Sequence, residues 1–181
     1  MNPLLCAQIN THHCKAAMAN LSPYSVDNKV DIMLIQEPYC YNGEPCYIPQ
    51  AFVAYYVSSP TAPRAALLVG REIAHNFMLL HNFSNPVNTM VVTATSPPIY
   101  IASSYLPPYD TLEQDFTPLK TFLTSVKLLN LIWGLDANIK HSTWYSPVTD
   151  TRGRTLVDFL TSQGLLTANE KTAPPTLGRQ E

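Results

Sequence analysis

The sequence is poor in charged residues and has no excess of positive charge. Charged residues make up 13% of its 181 residues, and the formal net charge at pH 7 is −2. Typical globular proteins carry about twice that share of charge. With 46% hydrophobic residues, the chain can build a sizeable core and is not a charge-driven disordered protein. Any contact with nucleic acid would be local or assisted by a metal ion, because the chain as a whole does not attract phosphates.

Long apolar runs and targeting segments are also missing. No run approaches the roughly 18 apolar residues of a membrane span. The first eleven residues, MNPLLCAQINT, lack the basic region with which a signal peptide begins. We therefore expect a protein that is not secreted and not bound to a membrane, with its four cysteines reduced. The spacing of the cysteines, and of the nearby His12 and His13, matches no zinc pattern.

Short apolar runs dominate the chain and predict β-strands. Each run is rich in β-branched or aromatic residues and is bounded by polar residues, glycine or proline. The runs span Leu4–Ile9, Ile32–Ile35, Phe52–Val57, Ala65–Val69, Met90–Thr95, Ile99–Tyr105 and Leu131–Leu135. Helices are expected over Thr11–Leu21, over a short segment capped by Asp110, from Thr117 onward, and over Gly153–Gln163. This alternation favours an α/β or α+β sandwich.

Polar residues follow three of these strands. Asn10 follows the first strand, Glu37 the second, and Asp136 and Asn138 the last. Side chains at strand ends are held rigidly while the adjoining loops leave them accessible. Carboxylate and amide oxygens suit a hard cation such as Mg²⁺. By spacing alone, these residues are better explained as turn residues and caps.

Several segments, taken in order, carry a family resemblance. They are Gln8-Ile9-Asn10, His13 to Ala17, Ile35 to Tyr39 (IQEPY), Trp133 to Asn138 (WGLDAN), His141 with Trp144, Asp150 to Arg154 (DTRGR), and Pro175-Thr176. This series resembles the apurinic-like endonuclease domain of arthropod non-LTR retrotransposon polyproteins. That domain belongs to the endonuclease/exonuclease/phosphatase superfamily. The matches cover nearly the whole chain.

The resemblance implies a fold. We expect an α/β protein with the four-layer α/β/β/α sandwich of that superfamily, built by residues 1–181 as a single domain. The family closes with a Ser-Asp-His triplet, whereas this sequence has no histidine after His141 and no aspartate after Asp158. We therefore expect the domain to be incomplete at its C-terminus and to lack its last strands.

The resemblance also implies catalytic roles. Glu37 would be the main ligand of Mg²⁺, with Mn²⁺ as a substitute, and Asn10 would assist it. Asp136 would orient or deprotonate the attacking water, and Asn138 would hydrogen-bond the scissile phosphate. Tyr105 would reach the same phosphate. The alternative for Tyr105 is a half-buried strand tyrosine without a catalytic role.

A second group of residues is expected to contact the substrate. Lys140, His141, Arg152 and Arg154 would form a small positive rim around the site, unless they belong to a solvated loop. Thr176 would lie near the DNA backbone.

The function implied is that of a Mg²⁺-dependent phosphodiesterase that nicks target DNA for retrotransposition. Its partners would be DNA and, in a full-length polyprotein, a reverse transcriptase domain. It would be nuclear when active, and intracellular otherwise. Without the Ser-Asp-His segment we expect the isolated chain to nick DNA weakly or not at all. Two alternatives remain, namely a non-catalytic remnant of such an endonuclease, and a phosphatase of the same superfamily acting on small phosphate esters or lipids.

Overall fold

The computed structural model describes residues 3–108, 117–125 and 130–170. These residues contain strands β1 (Cys6–Asn10), β2 (Ile32–Gln36), β3 (Cys40–Tyr41), β4 (Glu44–Pro45), β5 (Phe52–Tyr55), β6 (Ala65–Gly70), β7 (Phe77–Leu79), β8 (Asn88–Thr93), β9 (Tyr100–Tyr105) and β10 (Leu131–Asp136). One four-stranded sheet has the order β1-β2-β6-β5, and another has the order β10-β9-β8-β7. A small hairpin pairs β3 with β4. All the strands expected from the apolar runs are present, with ends shifted by a few residues.

The helices lie between the strands in sequence. They span Lys15–Ala19, Leu21–Asp27, Arg71–Ala74, Thr117–Ser125 and Thr151–Ser162, with 3-10 turns at His81–Phe83 and Ser142–Trp144. None of the helices in the described ranges is long and apolar enough to cross a membrane.

The single helix expected over Thr11–Leu21 is wrong in its bounds. Left-handed φ angles of 48° and 53° at His12 and His13 delay the helix until Lys15. A second helix then begins at Leu21 and contains Pro23 in its first turn, where a missing N–H breaks no helical hydrogen bond. The segment expected to be capped by Asp110 lies outside the described residues.

The two large sheets pack face to face. All five residues of β2 are buried, because alternate side chains face the other sheet and the helices. Leu34 and Leu67 point inward and share an apolar cluster with Val91 and Ile101 of the second sheet. A strand that is buried on both faces has a nearly continuous apolar sequence, and β2 is such a strand.

Helices cover both outer faces of the sheet pair. Met18 and Leu21 pack on the outward side chains of Met33 and Ile35. On the opposite face, Phe122 and its neighbours on the Thr117–Ser125 helix pack on Met90 and Ala102. The order of layers is therefore helix, sheet, sheet, helix, which confirms the expected α/β/β/α sandwich.

Polar contacts join the sheets near the ends of β2 and β9. The Gln36 amide donates a hydrogen bond of 3.0 Å to the Ser103 hydroxyl, which donates one of 2.9 Å to the Ile35 carbonyl. Gln36 and Ser103 are fully buried. Buried polar groups whose hydrogen bonds are satisfied by one another favour a single packing of the two sheets. They therefore help to fix the positions of these strand ends.

Candidate active site

The ends of four strands meet at one edge of the sandwich. β1 runs parallel to β2, with Asn10 opposite Gln36, and β10 runs parallel to β9, with Asp136 opposite Tyr105. The chain places Glu37 immediately after β2. Carboxyl ends of parallel strands lie on the same side of a sheet, and packing of the two sheets brings both sets together.

The side chain of Asn10 lies at the centre of this group. Its Nδ2 donates a hydrogen bond of 3.1 Å to Oε2 of Glu37 and another to Oδ2 of Asp136. Its Oδ1 accepts the backbone N–H of His12 at 2.7 Å. Two carboxylates from different sheets therefore converge on one amide group.

The backbone of Glu37 is held in an unusual conformation. Its φ angle is 49°, in the left-handed region that costs a residue with a side chain free energy. The Glu37 carbonyl accepts hydrogen bonds from the Thr11 hydroxyl at 2.6 Å and the His13 N–H at 2.7 Å, and the Glu37 N–H donates to the Arg64 carbonyl at 2.8 Å. Such strain, maintained by surrounding contacts, is typical of functional positions.

Three basic side chains surround the Glu37 carboxylate. Arg64 hydrogen-bonds to Oε1. The His13 ring is 3.4 Å from Oε1, and the His12 ring is 3.3 Å from Oε2. The carboxylate itself is largely shielded, since Glu37 is 8% exposed. Each oxygen of this carboxylate thus has basic and hydrogen-bonding partners.

These partners set the charge state of Glu37. Burial alone would raise the pKa of this carboxyl, but hydrogen bonds from Asn10 and Arg64 and the positive charge of Arg64 outweigh it. The pKa of Glu37 therefore lies below its ordinary value. The side chain is an anion at neutral pH, as a cation ligand must be.

Tyr105 ends β9 beneath Arg64. It is 5% exposed, and the Arg64 guanidinium carbon lies 4.3 Å from the centroid of its ring. Burial, followed by the negative charge of Glu37, raises the pKa of the Tyr105 hydroxyl. The hydroxyl hydrogen-bonds to Glu37 and remains protonated, so it is able to act as a donor. The structure therefore places the tyrosine within the polar group, and not simply in the sheet.

Asp136 and Asn138 form a tight turn after β10. The Asn138 N–H donates to Oδ1 of Asp136 at 3.2 Å, and the Asn138 amide donates to the Leu106 carbonyl at 3.1 Å. The φ angle of Asn138 is 49°. Asn138 is exposed at the edge of the site, while its amide is anchored to the segment that follows β9.

The loop after this turn is joined to the last helix. Asp150 caps that helix, because its Oδ1 accepts the Gly153 N–H at 2.6 Å, and its Oδ2 accepts the Lys140 N–H at 3.1 Å. A Cβ atom on Gly153 would lie 2.2 Å from the Lys140 carbonyl oxygen. Only glycine allows the loop and the helix to approach this closely.

The remaining rim residues have different surroundings. The Arg152 guanidinium donates to the carbonyls of Pro107 and Pro108, so it holds the segment after β9. Nδ1 of His141 accepts the N–H of Thr143 at 3.0 Å. Arg154 is exposed. Thr176, by contrast, is outside the described residues.

The donor set fits a small hard cation. Mg²⁺ is commonly bound by one or two carboxylates and several waters, and Glu37 and Asp136 supply two convergent carboxylates. Within the described ranges, no three His, Cys, Asp or Glu side chains are arranged to enclose a metal ion. An all-protein cage is therefore not formed by these residues, and Mg²⁺ does not require one.

Sequence reasoning missed the basic residues around Glu37. His12 and His13 are exposed, but their rings face the Glu37 carboxylate. No motif in the sequence marks Arg64. It lies just before β6, which pairs antiparallel with β2. Only that pairing, which the sequence does not display, brings Arg64 beside Glu37.

Comparisons with known proteins bear on the fold and on its relatives. A family model described as "Endonuclease-reverse transcriptase" matches residues 99–181. The endonuclease domain of TRAS1, a telomere-specific non-LTR retrotransposon, superimposes with a TM-score of 0.81 at 26% identity, over 95% of this chain and 76% of that chain. No curated protein sequence matches the chain.

More distant structures share the fold alone. D. rerio TDP2, complexed with a single-strand DNA product, gives a TM-score of 0.51 at 15% identity, over 91% of this chain and 66% of that one. An endonuclease/exonuclease/phosphatase family protein from Leptotrichia buccalis C-1013-b gives a TM-score of 0.53 at 12% identity. The match covers 90% of this chain and 73% of that one.

The sandwich of this chain is that of the endonuclease/exonuclease/phosphatase superfamily. Within that class, the chain is similar to the endonuclease domain of a non-LTR retrotransposon, and its residues 99–181 match the endonuclease-reverse transcriptase model.

Proposed function

We propose that this domain hydrolyses phosphodiester bonds in DNA with the help of Mg²⁺, and that the nick it leaves primes reverse transcription by an associated reverse transcriptase domain. The observation that carries the proposal is the convergence of Glu37 and Asp136 on the Asn10 amide. Their carboxylates come from separate sheets, and a catalytic cation is the simplest reason to hold two such charges together.

Each residue then has a defined task. Glu37 and Asn10 would hold Mg²⁺, which polarises the phosphate and stabilises the departing oxygen. Asp136 is the base nearest this pair, and it would orient the attacking water and accept its proton. Asn138 would donate a hydrogen bond to the scissile phosphate, and the protonated Tyr105 hydroxyl would donate another.

Loops at the edge of the site would contact the DNA backbone. Lys140 and Arg154 carry the charge that phosphates attract, and His141 lies between Lys140 and the 3-10 turn. Arg152 would act through the segment it holds at Pro107 and Pro108. Thr176 completes the proposed set. The small net charge of the chain makes this local rim more important.

Relaxation of supercoiled plasmid in the presence of Mg²⁺ tests the proposal. We expect conversion of plasmid to the open-circular form to be weak; EDTA should prevent it, and Glu37→Ala should abolish it. Glu72→Ala removes an exposed carboxylate from the Arg71–Ala74 helix and is the matched control. Nicking that persists in Glu37→Ala would contradict the proposal.

Cation binding provides a second measurement. Titration with Mn²⁺, followed by electron paramagnetic resonance, should detect a site that Glu37→Ala removes and Glu72→Ala retains. A domain that binds Mn²⁺ through Glu37 but leaves plasmid intact would favour the alternative of a non-catalytic remnant.

A further inference from the structure

Arg64 contacts two residues on which the proposed reaction depends. Its Nη2 binds Oε1 of the Glu37 carboxylate, and its guanidinium lies over the ring of Tyr105. The Arg64 side chain is 30% exposed, so one part of it faces solvent at the mouth of the site. Arginine remains charged at every physiological pH and presents its donors in a planar fork, which matches phosphate oxygens.

The backbone of Arg64 is held by hydrogen bonds to two other segments of the chain. The Arg64 N–H donates to the Pro86 carbonyl at 2.6 Å, and the Arg64 carbonyl accepts the Glu37 N–H at 2.8 Å. These bonds anchor the residue at the start of β6. A long side chain on a fixed backbone reaches different partners by rotation about its own bonds, without movement of the sheet.

Two positive charges would meet at Glu37 when a divalent cation binds there. The Arg64 contact is on Oε1, and Mg²⁺ prefers the same carboxylate oxygens. Like charges at such short range repel, and the repulsion is weakened little by solvent at a residue that is 8% exposed. The cation and the guanidinium therefore compete for the Glu37 carboxylate.

We propose that Arg64 exchanges between two anionic partners, the Glu37 carboxylate and a DNA phosphate, and that it leaves Glu37 when a divalent cation binds. The inference rests on the proposed function, since it takes Glu37 as the cation ligand. Arg64 then has two effects of opposite sign. It lowers the affinity of the site for the cation, and it raises the affinity of the site for DNA.

A purely structural role for Arg64 predicts a different outcome. If Arg64 only positions Glu37, its removal would leave the carboxylate poorly oriented and would weaken cation binding. If Arg64 competes with the cation, its removal would strengthen cation binding. The sign of the change in Mn²⁺ affinity therefore separates the two roles.

Two binding measurements on the same variants test the proposal. Mn²⁺ affinity is measured without DNA, and affinity for a short fluorescent DNA duplex is measured by anisotropy in saturating Mn²⁺, the state in which the proposal places Arg64 on a phosphate. Arg64→Gln should bind Mn²⁺ roughly five-fold more tightly and the duplex roughly five-fold more weakly, as expected for one partly exposed charge interaction. Arg64→Ala should likewise bind Mn²⁺ more tightly and the duplex more weakly. Arg64→Lys should keep wild-type Mn²⁺ affinity.

Lys120→Ala is the matched control, because it removes one exposed positive charge from the helix that covers the other sheet. It should change neither affinity appreciably. Weaker Mn²⁺ binding in Arg64→Gln, or unchanged DNA affinity, would overturn the proposal. Arg64→Gln removes the charge but retains part of the aliphatic stem and a hydrogen-bond donor, and thermal unfolding identifies any variant that fails to fold.

Glu37→Ala separates this inference from the proposed function. If it removes the Mn²⁺ site while Arg64→Gln does not strengthen that site, the exchange is wrong and the proposed function stands. If the Mn²⁺ site persists in Glu37→Ala, Glu37 is not the cation ligand and both proposals fail.

Discussion

Asn10 and Asp136 are separated by 126 positions in the sequence, yet the amide of one donates a hydrogen bond to the carboxylate of the other. Asn10 ends a strand of one sheet and Asp136 ends a strand of the second. Because the same amide nitrogen also donates to Glu37, this one side chain links the two sheets at the candidate site, beside the contacts that Tyr105 makes with Glu37 and Arg64. The register of the sandwich and the geometry of the site therefore depend on each other.

Asn10→Asp tests how much negative charge the group around Glu37 and Asp136 tolerates without a cation. The variant replaces the shared donor with a third carboxylate, so repulsion should lower the free energy of unfolding in EDTA by about 1–3 kcal/mol. Millimolar Mg²⁺ should restore more stability to the variant than to the wild type, because a cation offsets the added charge. Urea denaturation with and without Mg²⁺ measures both effects. Asn28→Asp, at an exposed helix end, should respond to Mg²⁺ as the wild type does, and an equal response of the two variants would contradict the prediction.

Much of the fold follows from motifs that the sequence displays. Apolar runs predicted both central strands of the first sheet, whereas the grouping of Asn10, Glu37 and Asp136 was implied by the family resemblance and not by their strand-end positions alone. The β3–β4 hairpin was missed, although Asn42-Gly43, with φ angles of 50° and 81°, is a strong hairpin signal.

The surroundings of Glu37 were less predictable. Arg64 reaches it only through the antiparallel pairing of β2 with β6, and pairing is a tertiary property. His12 and His13 turn toward the carboxylate because both adopt left-handed φ angles, which helix propensity alone did not suggest.

Gly134 lies where the second sheet packs directly against Leu34 of the first. A Cβ atom at this position would lie 2.6 Å from Cδ2 of Leu34, so Gly134→Ala should lower the free energy of unfolding by about 1–3 kcal/mol through overpacking. Leu34→Ala alone should cost about 2–5 kcal/mol, but it should cost less when Gly134→Ala is already present, since the new methyl group fills part of the cavity. A double-mutant cycle from urea denaturation measures this coupling, and strictly additive effects would show that the two positions do not touch.

Gly153→Ala tests how closely the loop at Lys140 packs against the last helix. Alanine is normally better than glycine inside a helix by about 1 kcal/mol, yet here its Cβ would lie 2.2 Å from a backbone oxygen of Lys140. We expect Gly153→Ala to be destabilising by at least about 2 kcal/mol. Thr155→Ala, at an exposed position of the same helix, should be neutral or slightly stabilising. A Gly153→Ala variant that is more stable than the wild type in thermal unfolding would show that the loop moves away at little cost.

The pH dependence of stability should report the partners of Glu37. The pKa of its carboxyl lies below the ordinary value of 4.5, so the folded state binds a proton less readily than the unfolded chain. The Glu37 interactions therefore stabilise the protein fully above about pH 4.5, and this contribution is lost as the pH falls through the lower folded-state pKa.

In EDTA, the difference in free energy of unfolding between the wild type and Glu37→Gln should be constant near neutral pH and should shift against the wild type at acidic pH. Asp158→Asn, at an exposed position of the last helix, serves as the control for the general effect of removing a carboxylate. A difference that instead grows in favour of the wild type on acidification would mean that burial, and not Asn10 and Arg64, governs the charge of Glu37.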